Sequence, residues 1–205
     1  MMKDHRHLIA ILRGITPEEA VAVCEALARA GISIIEVPLN SPQPIDSIRA
    51  AAKALEGRAS VGAGTVLKED DVDAVAAASG TFIVSPDCNE AVIARTRARG
   101  LRSYPGVFSP TEAFRAIRAG AHGLKFFPAE VLGAAGIKAM KAVLPPEIPL
   151  YAVGGANPDN FAEFLAAGCT GFGIGSYLYR PGTTVAEIAA RANALVAAYD
   201  RARTR

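Results

Sequence analysis

The chain is short of the residues that build disulfide frames and metal centres. Its 205 residues include three cysteines (Cys24, Cys88 and Cys169) and three histidines (His5, His7 and His122). The cysteines are far apart and show no CxxC spacing, which predicts reduced thiols in a cytoplasmic protein. No histidine falls at a predicted strand end and no carboxylate cluster accompanies one, so neither a metal nor a cofactor is expected. An excess of one charge is missing as well. Lys plus Arg number 22 against 20 Asp plus Glu, a balance that leaves no general nucleic-acid or membrane footprint. The basic stretches "RTRARGLR" and "RARTR" read as a solvated helix face and a chain end. The opening "MMKDHRHLIAILRG" offers five apolar residues before Arg13, too few for a signal-peptide core or a membrane span.

What is present is core material. Hydrophobic residues make up 51% of a length that suits one domain, expected here to span 1–205. Apolar runs alternate with alanine-rich amphipathic stretches from end to end. The runs are "LIAILRG", "SIIEVPL", "SVGAGTV", "TFIVSP", "LRSYPGV", "GLKFFPA", "PLYAVGG" and "GFGIGS". Their continuous Val/Ile/Leu character, without strict alternation, predicts parallel strands buried on both faces. Helix starts and stops lie between them. "TPEEAVAVCEALARAG" has Thr16 as N-cap, Pro17 at the first helical position, Glu19 at capping-box spacing and Gly31 just past the end. "SPTEAFRAIRAG" and "NPDNFAEFLAAG" repeat that grammar. Eight strands, each followed by a helix, predict an α/β fold of the (β/α)₈ TIM-barrel type. An open doubly wound sheet would carry a G-x-G-x-x-G turn; "GAGTVL" lacks the third glycine.

In such a barrel the chemistry sits at the C-terminal ends of the strands. Those positions hold Arg13, Glu36, Thr65, Ser85, Pro86, Pro105, Lys125, Gly154, Gly155, Gly175 and Ser176. Lys125, inside "HGLKFFPAE", stands against two phenylalanines. It either snorkels or pairs with a carboxylate, or it is a reactive amine whose pKa an apolar surround lowers. Arg13 and Glu36 admit a simple salt bridge, and Thr65 admits the role of an ordinary β-branched strand residue. Three ionisable groups converging on one barrel mouth nonetheless mark a functional site. The glycines of "AVGGANPDN" and "GIGSYL" predict a phosphate cradle at strands seven and eight, although Asn157, Pro158 and Asp159 serve equally as a helix cap. A buried lysine, one carboxylate, no metal and a phosphate cradle suggest a Schiff-base lyase acting on a phosphorylated small molecule.

Taken together, "LKFFPA", "GAGTVL", "EVPLNSP" and "AVGG" resemble the class I 2-keto-3-deoxy-6-phosphosugar acid aldolases, in order and spacing, over essentially the whole chain. The resemblance implies that Lys125 forms the Schiff base and that Glu36 is the acid/base. It further implies that Arg13 and Thr65 hold the carboxylate end, and that Gly155, Gly175 and Ser176 hold the phosphate. A homotrimer is implied too. Within the family "ILRGI" and "VPLNSP" resemble the 6-phosphogalactonate branch, whereas "FFPAE" is as familiar in the 6-phosphogluconate branch. The implied reaction cleaves the phosphorylated keto acid to pyruvate and glyceraldehyde 3-phosphate. Asn40 and Ser41 are candidates for the contact near C4, with plain turn formation as the other reading. A phosphosugar isomerase or epimerase on the same barrel, and a non-catalytic phosphometabolite sensor, are the competing readings. The isomerase would want a second strand-end carboxylate or a metal, and the sensor has no use for both Lys125 and Glu36.

Overall fold

The computed structural model describes residues 6–204, so His5 and most of "MMKDHRH" lie outside the described residues. The strands are β1 (Leu8–Ile11), β2 (Ile34–Pro38), β3 (Ser60–Gly64), β4 (Phe82–Val84), β5 (Arg102–Tyr104), β6 (Gly106–Val107), β7 (Leu124–Phe126), β8 (Leu150–Val153) and β9 (Gly171–Ile174). The helices are α1 (Pro17–Ala30), α2 (Pro44–Ala54), α3 (Glu69–Ala77), α4 (Glu90–Ala98), α5 (Pro110–Arg118), α6 (Ala129–Lys141), α7 (Phe161–Ala166) and α8 (Val185–Arg203). All strand pairs are parallel, in the order β5-β4-β3-β2-β1-β9-β8-β7-β6. Helices between the strands complete a (β/α)₈ barrel. Among the described residues no helix is long and apolar enough to cross a membrane.

The ninth strand has a local cause. "LRSYPGV" reads as one strand, but Pro105 has no N–H to donate and interrupts the ladder. β5 therefore pairs with β4, and β6 pairs with β7. The two segments are one strand that changes partner at the proline, and this change closes the ring. The Pro105 carbonyl stays in use, accepting a 2.9 Å bond from the Lys125 N–H.

Side-chain parity then separates two cores. Ile9, Ile11, Ile34, Phe82, Val84, Tyr104, Tyr151 and Val153 fill the barrel interior. Their chain neighbours, among them Leu8, Ala10, Ile35, Val37, Ile83, Leu124, Phe126 and Ala152, join the larger layer packed under the helices. Glu36 lies between Ile35 and Val37, and Lys125 between Leu124 and Phe126. Period-2 alternation thus turns both ionisable groups inward.

Helix ends follow the sequence grammar with one correction. In α1 the Glu19 carboxylate accepts from the Thr16 N–H at 3.3 Å, and Gly31 closes the end in the left-handed region. In α5 Ser109 and Glu112 form a full capping box. The helix expected to follow Asn157 directly begins three residues later, with Asn160 at its N-cap. Asn157 instead closes a local turn, its Oδ1 accepting from the Asp159 N–H at 2.9 Å.

His122 precedes β7 and accepts at Nδ1 from the Ser103 N–H at 3.0 Å, while the Arg97 guanidinium lies against Nε2. Burial, then Arg97 and Arg102, hold its pKa below the ordinary histidine value. The folded chain therefore favours the neutral ring. The unfolded chain takes up the extra proton first as pH falls, so the stability carried by neutral His122 is present above about pH 6.5 and fades below it. Urea midpoints at pH 5.5 and 7.5 are expected to differ less in His122→Gln than in the parent. An equal drop in both proteins would remove His122 from the acid response.

Candidate active site

Lys125 is 5% exposed and Glu36 2% exposed. Among the described residues no ion pair within 4.0 Å joins them to each other or to Arg13. The salt-bridge alternative for these residues therefore does not describe the structure. They still feel one another through space. Burial raises the Glu36 pKa, against the lowering effect of Lys125 and Arg13. Burial likewise lowers the Lys125 pKa; Glu36 opposes that shift and Arg13 adds to it. Both groups are thereby biased toward neutrality, as low-polarity surroundings require of partners not in contact.

The two phenylalanines beside Lys125 do different things. Phe126 points into the outer core and does not line the amine. Phe127 shares the parity of Lys125, and its ring centroid lies 4.7 Å from Nζ. A ring face favours the ammonium, so it is burial and Arg13 that lower the pKa, not the aromatic contact.

Gly64 makes room for Glu36. A Cβ built on this β3 residue would overlap the Glu36 carboxyl. Gly64→Ala must therefore push the carboxyl aside within a packed barrel. It is expected to lower stability by roughly 1–3 kcal/mol, read as a lower urea midpoint. An unchanged midpoint would mean that the carboxyl has another place to go.

Arg13 lies two residues beyond β1 and is exposed. Its Nη1 donates to Asn40 Oδ1 at 2.6 Å, and both Nη atoms reach Thr65 Oγ1 at 3.5 Å. Thr65 follows β3 with φ of 57°, a region that β-branched residues rarely enter. It is therefore not an ordinary strand residue; the turn holds its hydroxyl under the guanidinium. Asn40 and Ser41 are both engaged inside the protein. Asn40 holds Arg13, and the Ser41 hydroxyl accepts from the Gly14 N–H at 2.9 Å.

A cavity of about 900 Å³ opens over the ends of β1, β8 and β9. Arg13, Phe127, Gly155, Gly175 and Ser176 stand on its wall. Lys125, Glu36 and Thr65 do not. Phe127 and Arg13 connect them to it, the first by its ring and the second by its charge and its bonds to Thr65. Gly155 has φ of 73°, suited to glycine. Its carbonyl accepts from Asn157 Nδ2 at 3.0 Å and from Asn160 Nδ2 at 2.9 Å, so the loop is held from behind by two amides. A Cβ there would come within 2.6 Å of Glu130 Oε2, which places a carboxylate at one edge of the loop. Arg180 also lines the cavity. Sequence reasoning missed it because it lies six residues past β9; "RPGT", a turn signature, was the available signal. Among the described residues no group of three His, Cys, Asp or Glu stands close enough to hold a metal ion.

Comparison with known proteins gives a consistent set of likenesses. The family model described as "Aldolase: KDPG and KHG aldolase" matches residues 1–194. The chain is 50% identical over 195 residues to a probable 2-dehydro-3-deoxy-6-phosphogalactonate aldolase of Rhizobium meliloti (strain 1021), covering 95% of this chain and 92% of that one. It is 49% identical to the 2-dehydro-3-deoxy-6-phosphogalactonate aldolase of Escherichia coli (strain K12), covering 95% of each. A solved structure described as "Native KDPGal structure" superposes with a TM-score of 0.97 at 47% identity, over 99% of this chain and 98% of that one.

Proposed function

This chain belongs to the KDPG and KHG aldolase family, and from that premise we propose that it cleaves 2-dehydro-3-deoxy-6-phospho-D-galactonate reversibly to pyruvate and D-glyceraldehyde 3-phosphate, with Lys125 as imine-forming amine and Glu36 as proton shuttle. The observation that carries the residue roles is the pair itself. An amine and a carboxyl face inward from β7 and β2, nearly fully buried, unpaired by contact and each biased toward its neutral form.

In this reading the neutral Lys125 amine adds to the C2 ketone, the protonated Glu36 carboxyl gives its proton to the departing hydroxyl, and loss of water leaves an iminium beside a now ionised Glu36. Ionised Glu36 takes the C4 hydroxyl proton. The C3–C4 bond breaks, its electron pair enters the iminium, and D-glyceraldehyde 3-phosphate departs as the aldehyde. Glu36 returns the proton to C3 of the enamine, and water releases pyruvate from Lys125. Arg13, kept in place by Asn40 and joined by Thr65, receives the substrate carboxylate as a charge-assisted fork. Gly155, Gly175 and Ser176 receive the phosphate from the opposite wall. The reading takes the whole of 1–205 as one working barrel, in the cytoplasm, assembled as a homotrimer. Exposed apolar side chains at Leu67, Phe108 and Val131 support subunit contacts.

Pyruvate release from the galactonate and gluconate epimers, coupled to lactate dehydrogenase, tests the reaction. A galactonate preference that survives chelator supports it. Equal rates would make the enzyme dual-specific, and no pyruvate from either epimer would sink the assignment.

A further inference from the structure

The cavity wall carries a second arginine to which the family reading gives no role. Arg180 is exposed toward solvent, yet its backbone is tightly fixed. Leu178 and Tyr179 just before it are buried. Arg180-Pro181-Gly182-Thr183 then forms a turn, with the Thr183 N–H donating to the Arg180 carbonyl at 3.0 Å and φ of 84° at Gly182. Proline followed by a positive-φ glycine is the pattern of a type II turn. The Arg180 N–H donates in return to Thr183 Oγ1 at 3.3 Å. Pro181 packs over the loop after β1, where a Cβ on Gly14 would come within 2.8 Å of its ring.

The side chain is held as well. Nε donates to the Ser176 carbonyl at 3.1 Å, which leaves the Nη groups free of that bond. Arg180 takes part in none of the ion pairs among the described residues. A cation without a carboxylate therefore stands on the wall shared by Gly155, Gly175 and Ser176. Glu130 sets a carboxylate beside Gly155. Arg13 is turned the other way, toward Asn40 and Thr65. The cavity thus has two guanidinium groups committed to different sides, which suits a substrate with an anion at each end.

We infer that Arg180 is a specificity-determining residue that binds the substrate phosphate through its Nη groups, adding charge to a cradle otherwise built of backbone and one hydroxyl. The inference rests on the phosphorylated substrate of the proposed reaction. A planar guanidinium already fixed at Nε presents its remaining donors at little entropic cost, which is how arginine outperforms lysine at phosphates.

The test runs the reaction in the condensing direction, pyruvate with D-glyceraldehyde 3-phosphate or with D-glyceraldehyde, in the full-length protein and in Arg180→Ala and Arg180→Lys. In Arg180→Ala the selectivity for the phosphorylated aldehyde, as a ratio of kcat/KM values, is expected to fall roughly 10- to 100-fold, chiefly through KM. Arg180→Lys should recover part of the ratio. A parallel fall for both aldehydes would assign Arg180 to loop structure alone, and an unmoved ratio with full activity would make it a solvated surface charge. Either overturns the inference. A parent protein that condenses neither aldehyde would overturn the aldolase reading itself, a result plainly distinct from the other two.

Discussion

In Lys125→Ala, turnover is expected to fall by at least about 10⁴-fold, and the pyruvyl adduct trapped by borohydride is expected to vanish with it. Among the described residues Lys125 is the one buried lysine, so no second amine stands in the barrel interior to form the imine. The loss should not come from unfolding. Burial holds the Lys125 pKa below its usual value, so at neutral pH the folded state resists a charge that the unfolded chain accepts freely. Removing the amine lifts that cost and sets it against the packing lost with the stem, so the variant should remain folded, as its circular dichroism spectrum will report. Peptide mass mapping of the parent after pyruvate and borohydride should place the reduced pyruvyl group on the Lys125 peptide. An adduct on another lysine, or substantial turnover without Lys125, would end the proposed mechanism.

Glu36→Gln is expected to separate the two halves of the chemistry. Its amide cannot take the C4 hydroxyl proton or return one to the enamine, so kcat should drop about 10²- to 10⁴-fold, while the trapped adduct still forms. The pH dependence has a definite sign. The Glu36 charge raises the Lys125 pKa, whereas burial and Arg13 lower it. Taking the carboxylate away leaves burial and Arg13 to lower it, opposed by the Phe127 ring face alone. Imine formation needs the free amine and therefore rises with pH through the Lys125 pKa. That rise should move to lower pH in Glu36→Gln. A shift toward higher pH, or none, would mean that the two groups are not electrostatically coupled as their burial implies. Normal turnover in the variant would remove Glu36 from the mechanism.

The barrel itself was legible in the one-dimensional pattern. Apolar runs of strand length, separated by capped amphipathic stretches, are local signals, and a parallel sheet with helices over it is the arrangement that buries them. The same pattern put Lys125 and Glu36 at strand ends, whereas they sit at the middle of β7 and β2; the motifs around them carried the family. Other features depended on residues distant in sequence. Continuous apolar runs erase the period-2 signal, because both faces of each strand are buried. Nothing in "LKFFPA" therefore said that Lys125 faces inward while Phe126 faces the helices. Closure of the ring determined that, and it required the exchange of partners at Pro105. Gly64 acquires its meaning only when β3 lies beside β2 and the Glu36 carboxyl fills the space where a side chain would be. The Thr65 backbone and the Arg13–Asn40 bond likewise join loops after three strands. Composition and short-range grammar determined what kind of fold this chain makes and which residues reach its mouth. Register and closure decided which way those side chains point and how much room each has, because such contacts exist only once the strands are side by side.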